Sequence, residues 1–539
     1  MVFMNRFLAF MGIFALVGLT ACKPVVSAKN TGAIYCVDSF SQYLNPQVLG
    51  SSPFAASLSQ QVYNRLVQIN PVTQRLEGAL ADSWDVSKSG LVYTFNLRQD
   101  IPFQHTDWFA PSRMMNADDV VFSFERIIDH DNPFHTIGNI HFPFFDNLDF
   151  ENTLSSVKKI DNYQVQFVLS HPNSAFVSAL ASDYAVILSA EYAAQLRKQK
   201  KLYNLDEMPV GTGPFQLNEK RNWEYLRLTR NPLYWDSHSD LRQVIFDYTP
   251  RASKRLTKLF TGECQVIASP AASQLPFIHK NPRTLLDIQN SMNTTFLVIN
   301  TRKKPFNDKR VREAIAMAIN KDNLQQAVFF DTGETANSLL PPASWANDPN
   351  LEDYPNDIDQ AQKLLKEAGY PDGLTMTLWV QPTARTYNPD ASKTAQILQG
   401  DLARIGIDIE IIETRWSYIR NQLIKGNHDL ALMTWIADND DPDNFMRPLL
   451  SCNNNRNQNN NYSGWCSRDF DSTLNEALAT QRLSERIMKY HQAQEIIFDE
   501  IPVIPLAHAL TVNAYSKNMQ DLIMPSTGGV SFVNAHLEE

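Results

Sequence analysis

LTMTLWVQPTARTYNPDASKTAQILQGDLARIGIDIEIIETRWSYIRNQLIKGNHDLALMTW, residues 374–435, carries three strand patterns separated by two helical ones. Leu374–Val380 is apolar and rich in strand formers. Residues 391–405 repeat apolar side chains at helical spacing, with Ile397, Leu398, Leu402 and Ile405 inward and Gly406 to stop the helix. Ile407–Ile412 reads as a strand, Ser417–Lys425 as a helix and Asp429–Trp435 as a strand. Short connections in a β-α-β-α-β series predict parallel strands joined by right-handed crossovers. Ligands of such sheets bind beyond the carboxyl ends of the strands.

Two loops leave that predicted edge with opposite charge. The third strand runs into Asp438, Asp440, Asp441 and Asp443, and the first runs into Gln381–Tyr387 with Arg385. Neighbouring parallel strands lie about 4.8 Å apart, so the loops can hold opposite charges at a separation suited to the termini of a short peptide. The strand order is an assumption at this point. So many acids ask for a cation: a metal ion, a catalytic proton or an organic ammonium group. An EF-hand calcium loop counted from Asp438 fails, because its fifth, sixth and twelfth positions are Pro442, Asp443 and Leu449. Paired carboxylates can serve glycoside hydrolysis, yet the chain has no GxSxG, GxxxxGK[ST] or HExxH. The eleven histidines are scattered, and Asp129–His135 reads as a turn. Asp440, Asp441 and Asp443 shape a turn and cap the next helix, which leaves Asp438 as the functional residue. Trp379, Tyr387, Trp416 and Trp435 stand near the ends of these elements and could wall a pocket.

Outside this unit the chain reads more coarsely. Residues 29–115 look like short strands and turns, among them Leu91–Leu97. Asn116 caps a helix with Asp118 and Asp119 in its first turn and Val120, Val121, Phe124, Ile127 and Ile128 along one face. Strand-like runs recur at 163–169, 224–229 and Phe296–Asn300. Asp308 caps a helix bearing Val311, Ile315 and Ile319, and another runs from 359 to Ala368, stopped by Gly369. The 539 residues exceed what one core usually serves. A net charge of −10 disfavours nucleic acid as a partner.

The N-terminus is an export signal. Arg6 precedes the apolar run Phe7–Leu19, too short to span a bilayer at about 20 residues per helix but suited to a signal peptide. Leu19-Thr20-Ala21-Cys22 looks like a bacterial lipobox, with Cys22 as the acylated first mature residue; cleavage after Val26-Ser27-Ala28 is the alternative. Export leaves four mature cysteines in an oxidising compartment. Cys452 and Cys466 flank an Asn-rich loop that a bridge would hold, worth roughly 3 kcal/mol, and Cys36 would then pair with Cys264. No zinc spacing is present.

In this order YCVDSFSQYLNP (35–46), GALADSWDVSKSGLVYTFNLR (78–98), NADDVVFSFERI (116–127), PVGTGPFQL (209–217), LTRNPLYW (228–235), NTRKKPFNDKRVREAIAMAINK (300–321) and HDLALMTWIADNDDPDNF (428–445) resemble the periplasmic peptide-binding proteins of ABC importers, the oligopeptide/dipeptide class. HTDWFAPSRMMNADDVVFSF (105–124), FPFFDNLDF (142–150) and SPAASQL (269–275) look most like the Sap-type subgroup, linked to antimicrobial-peptide resistance. The usual Sap-type signal lacks a lipobox, so the LTAC run departs from it. The resemblance implies an α/β, two-lobed type II solute-binding fold that encloses its ligand. Lobe I would hold residues 29–290 plus 508–539, with an inserted subdomain over roughly 55–200. Lobe II would hold 291–507, and residues 1–21 would be the leader.

The resemblance further implies a non-enzymatic receptor without a cofactor in a Gram-negative periplasm, monomeric, handing peptides to an inner-membrane ABC permease. In dipeptide-specific relatives an Asp at the Asp438 position holds the peptide ammonium and an Arg at the Arg385 position its carboxylate. Tyr387, Trp416 and Trp435 match positions lining that pocket, and both cysteine pairs match the family's disulfides. Sap-type members do not all keep the Arg, so Arg385 draws the reading toward short peptides. The alternatives are haem or a nickel chelate on the same fold and, outside the class, a carboxylate-based hydrolase.

Overall fold

A computed structural model describes residues 32–538 except 72, 74, 136, 138–140, 238, 331, 384–386 and 453–459. The leader, Cys22 and Arg385 therefore lie outside the described residues.

The strand Asn293–Ile299 shows how the second half of the chain is layered. All seven of its residues are buried. Leu297 and Ile299 enter one apolar core, while Phe296 and Val298 enter another on the opposite face. Both faces of the sheet are thus covered, which is why its strands read as apolar runs rather than as alternation. The strand order is Gly333–Thr335, Val503–Ala509, Asn293–Ile299, Leu430–Ile436, Leu374–Val380, Ile407–Glu413. Leu374–Val380 pairs in parallel with Ile407–Glu413 on one side and with Leu430–Ile436 on the other. The chain steps one strand over, then returns across its starting strand. The first and third strands are consequently neighbours, the order that the sequence reading assumed. Beyond them the sheet is antiparallel, because Asn293–Ile299 opposes Leu430–Ile436. Gly373 and Gly406 open the parallel pair at positive φ; a Cβ on Gly373 would lie 2.0 Å from the Gly406 carbonyl oxygen, so only glycine fits there.

The first half builds a seven-stranded sheet in the order Thr284–Gln289, Thr511–Ser516, Val266–Ile267, Gly32–Val37, Gln243–Tyr248, Tyr225–Arg230, Phe215–Arg221. A four-stranded antiparallel sheet within residues 81–169 shares one continuous core with it. The helix Ala117–Ile128 begins with the capping box that Asn116 predicts: Asn116 Oδ1 accepts from the Asp118 N–H at 2.9 Å and Asp119 accepts from the Asn116 N–H at 2.9 Å. One expectation fails. Residues 29–115 are not only strands and turns, since Pro53–Val62 is a helix capped by Ser52, with Pro53 in its first turn. Eight of its ten residues are buried, so it lacks the polar face by which periodicity is recognised. Observed element ends otherwise differ from the sequence reading by one to three residues, as at Leu430–Ile436 and Ala391–Ala403.

Cys36 and Cys264 are bridged, with Cα atoms 6.0 Å apart, and so are Cys452 and Cys466, at 4.7 Å. The first bridge joins segments 228 residues apart.

The chain passes between the two large sheets twice, at 290–292 and at Leu510. The two passages run side by side: Gln289 pairs with Thr511 in one sheet, and Thr295 with Ala507 in the other. Between them the Asn293 side chain donates to the Ala509 carbonyl at 2.8 Å and accepts from the Ala509 N–H at 3.0 Å. His508 packs beside it, and burial pushes its imidazole down to about 4, so it is neutral there. This side chain satisfies two backbone groups at the point where the ladder changes sheets. Asn293→Ala should strand both and lower unfolding stability by about 1–3 kcal/mol. A urea titration should show a lower midpoint with unchanged slope; an unchanged midpoint would remove Asn293 from that role.

Candidate ligand-binding cleft

Ala437, the residue after the strand Leu430–Ile436, donates its N–H to the Met292 carbonyl in the passage between the sheets at 2.8 Å. Asp438 follows and is only 5% exposed. Its N–H donates to Asn444 Oδ1 at 3.0 Å, which fixes the turn. Its carbonyl accepts from the Ser182 hydroxyl at 2.7 Å, and its Oδ1 accepts from the Ser51 hydroxyl, both from the facing lobe. Oδ2 is buried and makes no hydrogen bond of ordinary geometry. Burial pushes this carboxyl up from 3.8 to about 6, against the opposing pull of the Ser51 hydroxyl and the Asn147 side chain.

The other three aspartates are occupied. Asp441 pairs with Arg486 at 2.7 Å, accepts from the Tyr490 hydroxyl at 3.1 Å and accepts from the Asp443 N–H at 3.1 Å. Asp443 receives two bonds from Arg447, at 2.8 and 3.0 Å. Asp440 accepts from the Ser178 hydroxyl. These contacts give the turn reading of the three a physical content: two arginines neutralise two of the acids within one lobe. The Asp443–Arg447 pair is an i,i+4 pair legible in sequence, whereas Arg486 lies too far along the chain to be inferred.

Asp438 lines a cleft of about 740 Å³ between the lobes. Ser51, Tyr184 and Asn513 face it from one lobe, Tyr387 and Ile436 from the other, and Asn293 closes the end at the passage strands. A second carboxylate, Asp183, is held by Arg65 and by Gln60 at 2.9 Å. Among the described lining residues there is no lysine or arginine. Among the described residues Asp438 is therefore a buried carboxylate with no cationic partner and with one oxygen lacking a hydrogen bond of ordinary geometry, an arrangement that accepts a desolvated cation.

Of the residues expected at the site, Asp438 and Tyr387 come together here. Thr295 Oγ1 donates to the Tyr387 carbonyl at 2.7 Å, anchoring that loop to the sheet. Trp416 and Trp435 are not among the residues lining this cleft. Trp416 opens the helix Trp416–Lys425 and meets Tyr462 edge-on with centroids 6.5 Å apart, and Trp435 packs against the same core. Ser51, Ser182, Tyr184 and Asn513 were not foreseen. Their only local signal is the Ser-Ser-Pro run at 51–53, which marks a helix start and says nothing of a ligand.

Two lobes joined by paired strands, closing on a buried carboxylate, define a receptor that encloses its ligand. The chain belongs to the bacterial extracellular solute-binding proteins of family 5, whose description, "Bacterial extracellular solute-binding proteins, family 5 Middle", matches residues 75–457. It is 41% identical to the probable ABC transporter periplasmic-binding protein SapA of Escherichia coli, over 96% of this chain and 94% of that one. The dipeptide-binding protein of the same organism is 35% identical over 96% of this chain and 97% of its own. A dipeptide-binding protein from a Pseudoalteromonas species, solved in complex with Met-Leu, superposes with a TM-score of 0.86 at 36% identity, covering 94% of this chain and all of that one.

The sign of the Asp438 shift yields a test on the ligand-free protein. A raised carboxyl favours the protonated form in the closed cleft. Below about pH 4 the carboxyl is protonated folded or unfolded, and burial carries no ionisation penalty. From about pH 4 to 6 the penalty grows, and above that it stays constant. The stability difference between the unmutated protein and Asp438→Asn should therefore move against the unmutated protein by on the order of 2 kcal/mol between pH 4 and pH 7. Denaturant titrations at the two pH values would measure it, and a pH-independent difference would contradict the burial of an open carboxylate.

Proposed function

We propose that this protein captures peptides by their free α-amino terminus in the periplasm and delivers them to an inner-membrane ABC transporter without acting on them chemically. The observation that carries the reading is the Asp438 Oδ2, buried in the inter-lobe cleft without a hydrogen bond of ordinary geometry and with no lysine or arginine among the described lining residues. A peptide ammonium supplies that charge. Arg385, on the loop after the adjacent strand, takes the carboxylate of a short ligand, because a planar guanidinium donates two parallel hydrogen bonds to it. Tyr387 walls the cleft, and ligand side chains meet it together with small polar groups such as Ser51 and Asn513. Likeness to SapA and to dipeptide-binding proteins supports a peptide as the solute. The Sap-type resemblance extends the reading to a part in resistance to antimicrobial peptides.

Calorimetry on one peptide and its blocked forms tests this directly. N-acetylation should abolish binding, and Asp438→Asn should weaken it by roughly 2–5 kcal/mol, the cost of leaving one member of a buried charged pair alone. C-amidation should weaken short peptides more than long ones, whose carboxylate lies beyond Arg385. Equal affinity for free and acetylated peptide would overturn the reading.

The same reading places the mature protein at a membrane surface through an acylated Cys22. Two or three acyl chains give stable attachment where one does not. Cell fractionation should find the unmutated protein with membranes and Cys22→Ser in the soluble periplasm. An unmutated protein that is already soluble would refute the anchor.

A further inference from the structure

Three serine hydroxyls from one lobe converge on a three-residue stretch of the other. Ser51, just before the helix Pro53–Val62, donates to Asp438 Oδ1. Ser182, at the end of the helix Phe176–Ala181, donates to the Asp438 carbonyl at 2.7 Å. Ser178, one helical turn earlier, donates to the Asp440 carboxylate. The donors are 131 or fewer residues apart from one another but 256 or more from their acceptors, so these bonds form only when the lobes meet. Within its own lobe the turn is held through its backbone: the Asn444 side chain accepts from the Asp438 N–H, and the Asn439 side chain accepts from the Asp441 N–H at 2.9 Å. Among the described residues of that lobe no side chain hydrogen-bonds the Asp438 carboxylate: Oδ1 takes the Ser51 hydroxyl, the Asn147 side chain beside it also comes from the facing lobe, and Oδ2 makes no hydrogen bond of ordinary geometry.

We infer that Ser51, with Ser178 and Ser182, is a positioning residue for ligand capture. On lobe closure the three hydroxyls grip the 438–440 turn, and Ser51 orients the carboxylate so that Oδ2 faces the ligand's ammonium group. The inference rests on reading Asp438 as the ammonium site. Its physical basis is a division of labour between the two carboxylate oxygens. A hydroxyl that donates to one oxygen fixes the plane of the group and leaves the other for a stronger, charge-assisted donor. Because both donors are needed to satisfy a buried carboxylate, ammonium binding and closure reinforce one another: the ligand completes the site that closure orders, and an open cleft offers a rotating, hydrated carboxylate with weaker hold on the ammonium.

The test compares Ser51→Ala, Ser51→Thr and the double variant Ser178→Ala/Ser182→Ala, using a peptide that binds the unmutated protein and its N-acetylated form. Ser51→Ala should bind the free peptide about 10- to 100-fold more weakly. Ser51→Thr keeps the hydroxyl and should restore most of that loss, a rescue that a purely steric role would not give. The double variant should weaken binding too and should show less ligand-induced contraction by small-angle X-ray scattering. Thermal unfolding of each ligand-free variant checks that the lobes fold, and Ser51→Thr with the double variant carries the test if Ser51→Ala does not. Free-peptide affinity unchanged in both alanine variants, while Asp438→Asn loses binding, would overturn this inference and leave the ammonium reading standing. Asp438→Asn binding like the unmutated protein would overturn both.

Discussion

A carboxylate buried with one oxygen unpaired is an arrangement a folded protein does not keep for stability. Removing an ion from water costs several kcal/mol unless opposite charge and hydrogen bonds replace the hydration. Among the described residues Asp438 has the Ser51 hydroxyl and the Asn147 side chain, an Oδ2 without a hydrogen bond of ordinary geometry, and no lysine or arginine lining its cleft. The surrounding structure depends on that deficit. The sheet brings Asp438 to its carboxyl edge, the Met292 carbonyl holds the preceding Ala437 beside the crossing strands, and the opposite lobe supplies the lid. A deficit located between two bodies, rather than within one, lets a ligand remove it by closing them.

The rest of the acidic run serves the same end by being neutralised elsewhere. Had Asp441 and Asp443 lacked Arg486 and Arg447, their charge would add to that of Asp438 and draw any counter-ion into the turn. The two arginines remove Asp441 and Asp443 from that attraction, and Asp440 is turned to the Ser178 hydroxyl instead. Arg486 also lies over the Trp345 ring, 5.0 Å from its centroid, so its charge is held in place on both sides. A metal ion finds poor terms here, because acids already bonded to guanidinium groups cannot also converge on one cation.

Much of the fold was legible because its central sheet is covered on both faces. Apolar strands such as Leu374–Val380, separated by helices with Gly369 and Gly406 at their ends, leave few topologies open. Periodicity could not reveal Pro53–Val62, whose polar residues are buried with its apolar ones. Asp438 could be singled out because a carboxylate just past a parallel strand has few structural uses, and it does line the cleft. The aromatic residues were harder. Tyr387 does face the cleft, but Trp435 and Trp416 pack into a core, and sequence spacing cannot tell a wall of a cavity from a wall of a core. The serines that meet Asp438 were illegible for another reason: they belong to contacts between residues hundreds of positions apart, and a hydroxyl before a helix has a local explanation that hides the distant one.

The position of the crossing strands decides what kind of selectivity such a cleft can have. Both chain passages lie side by side and are joined by the Asn293 side chain to Ala509, so the lobes share one narrow junction and meet across the cleft as whole surfaces. Closure then demands agreement at fixed points, the carboxylate and the turn around it, and little elsewhere. The remaining walls are mostly small, such as Ser269, Thr511, Gly528 and Gly529. Small walls leave room for water, and water bridges a polar side chain almost as well as a direct bond while yielding its place to an apolar one. With a peptide ammonium at Asp438, as proposed, selectivity would concentrate in the charged end that every peptide shares, and tolerance in the side chains by which peptides differ. One buried oxygen without an ordinary hydrogen bond would demand the first, and the small described walls around it would permit the second.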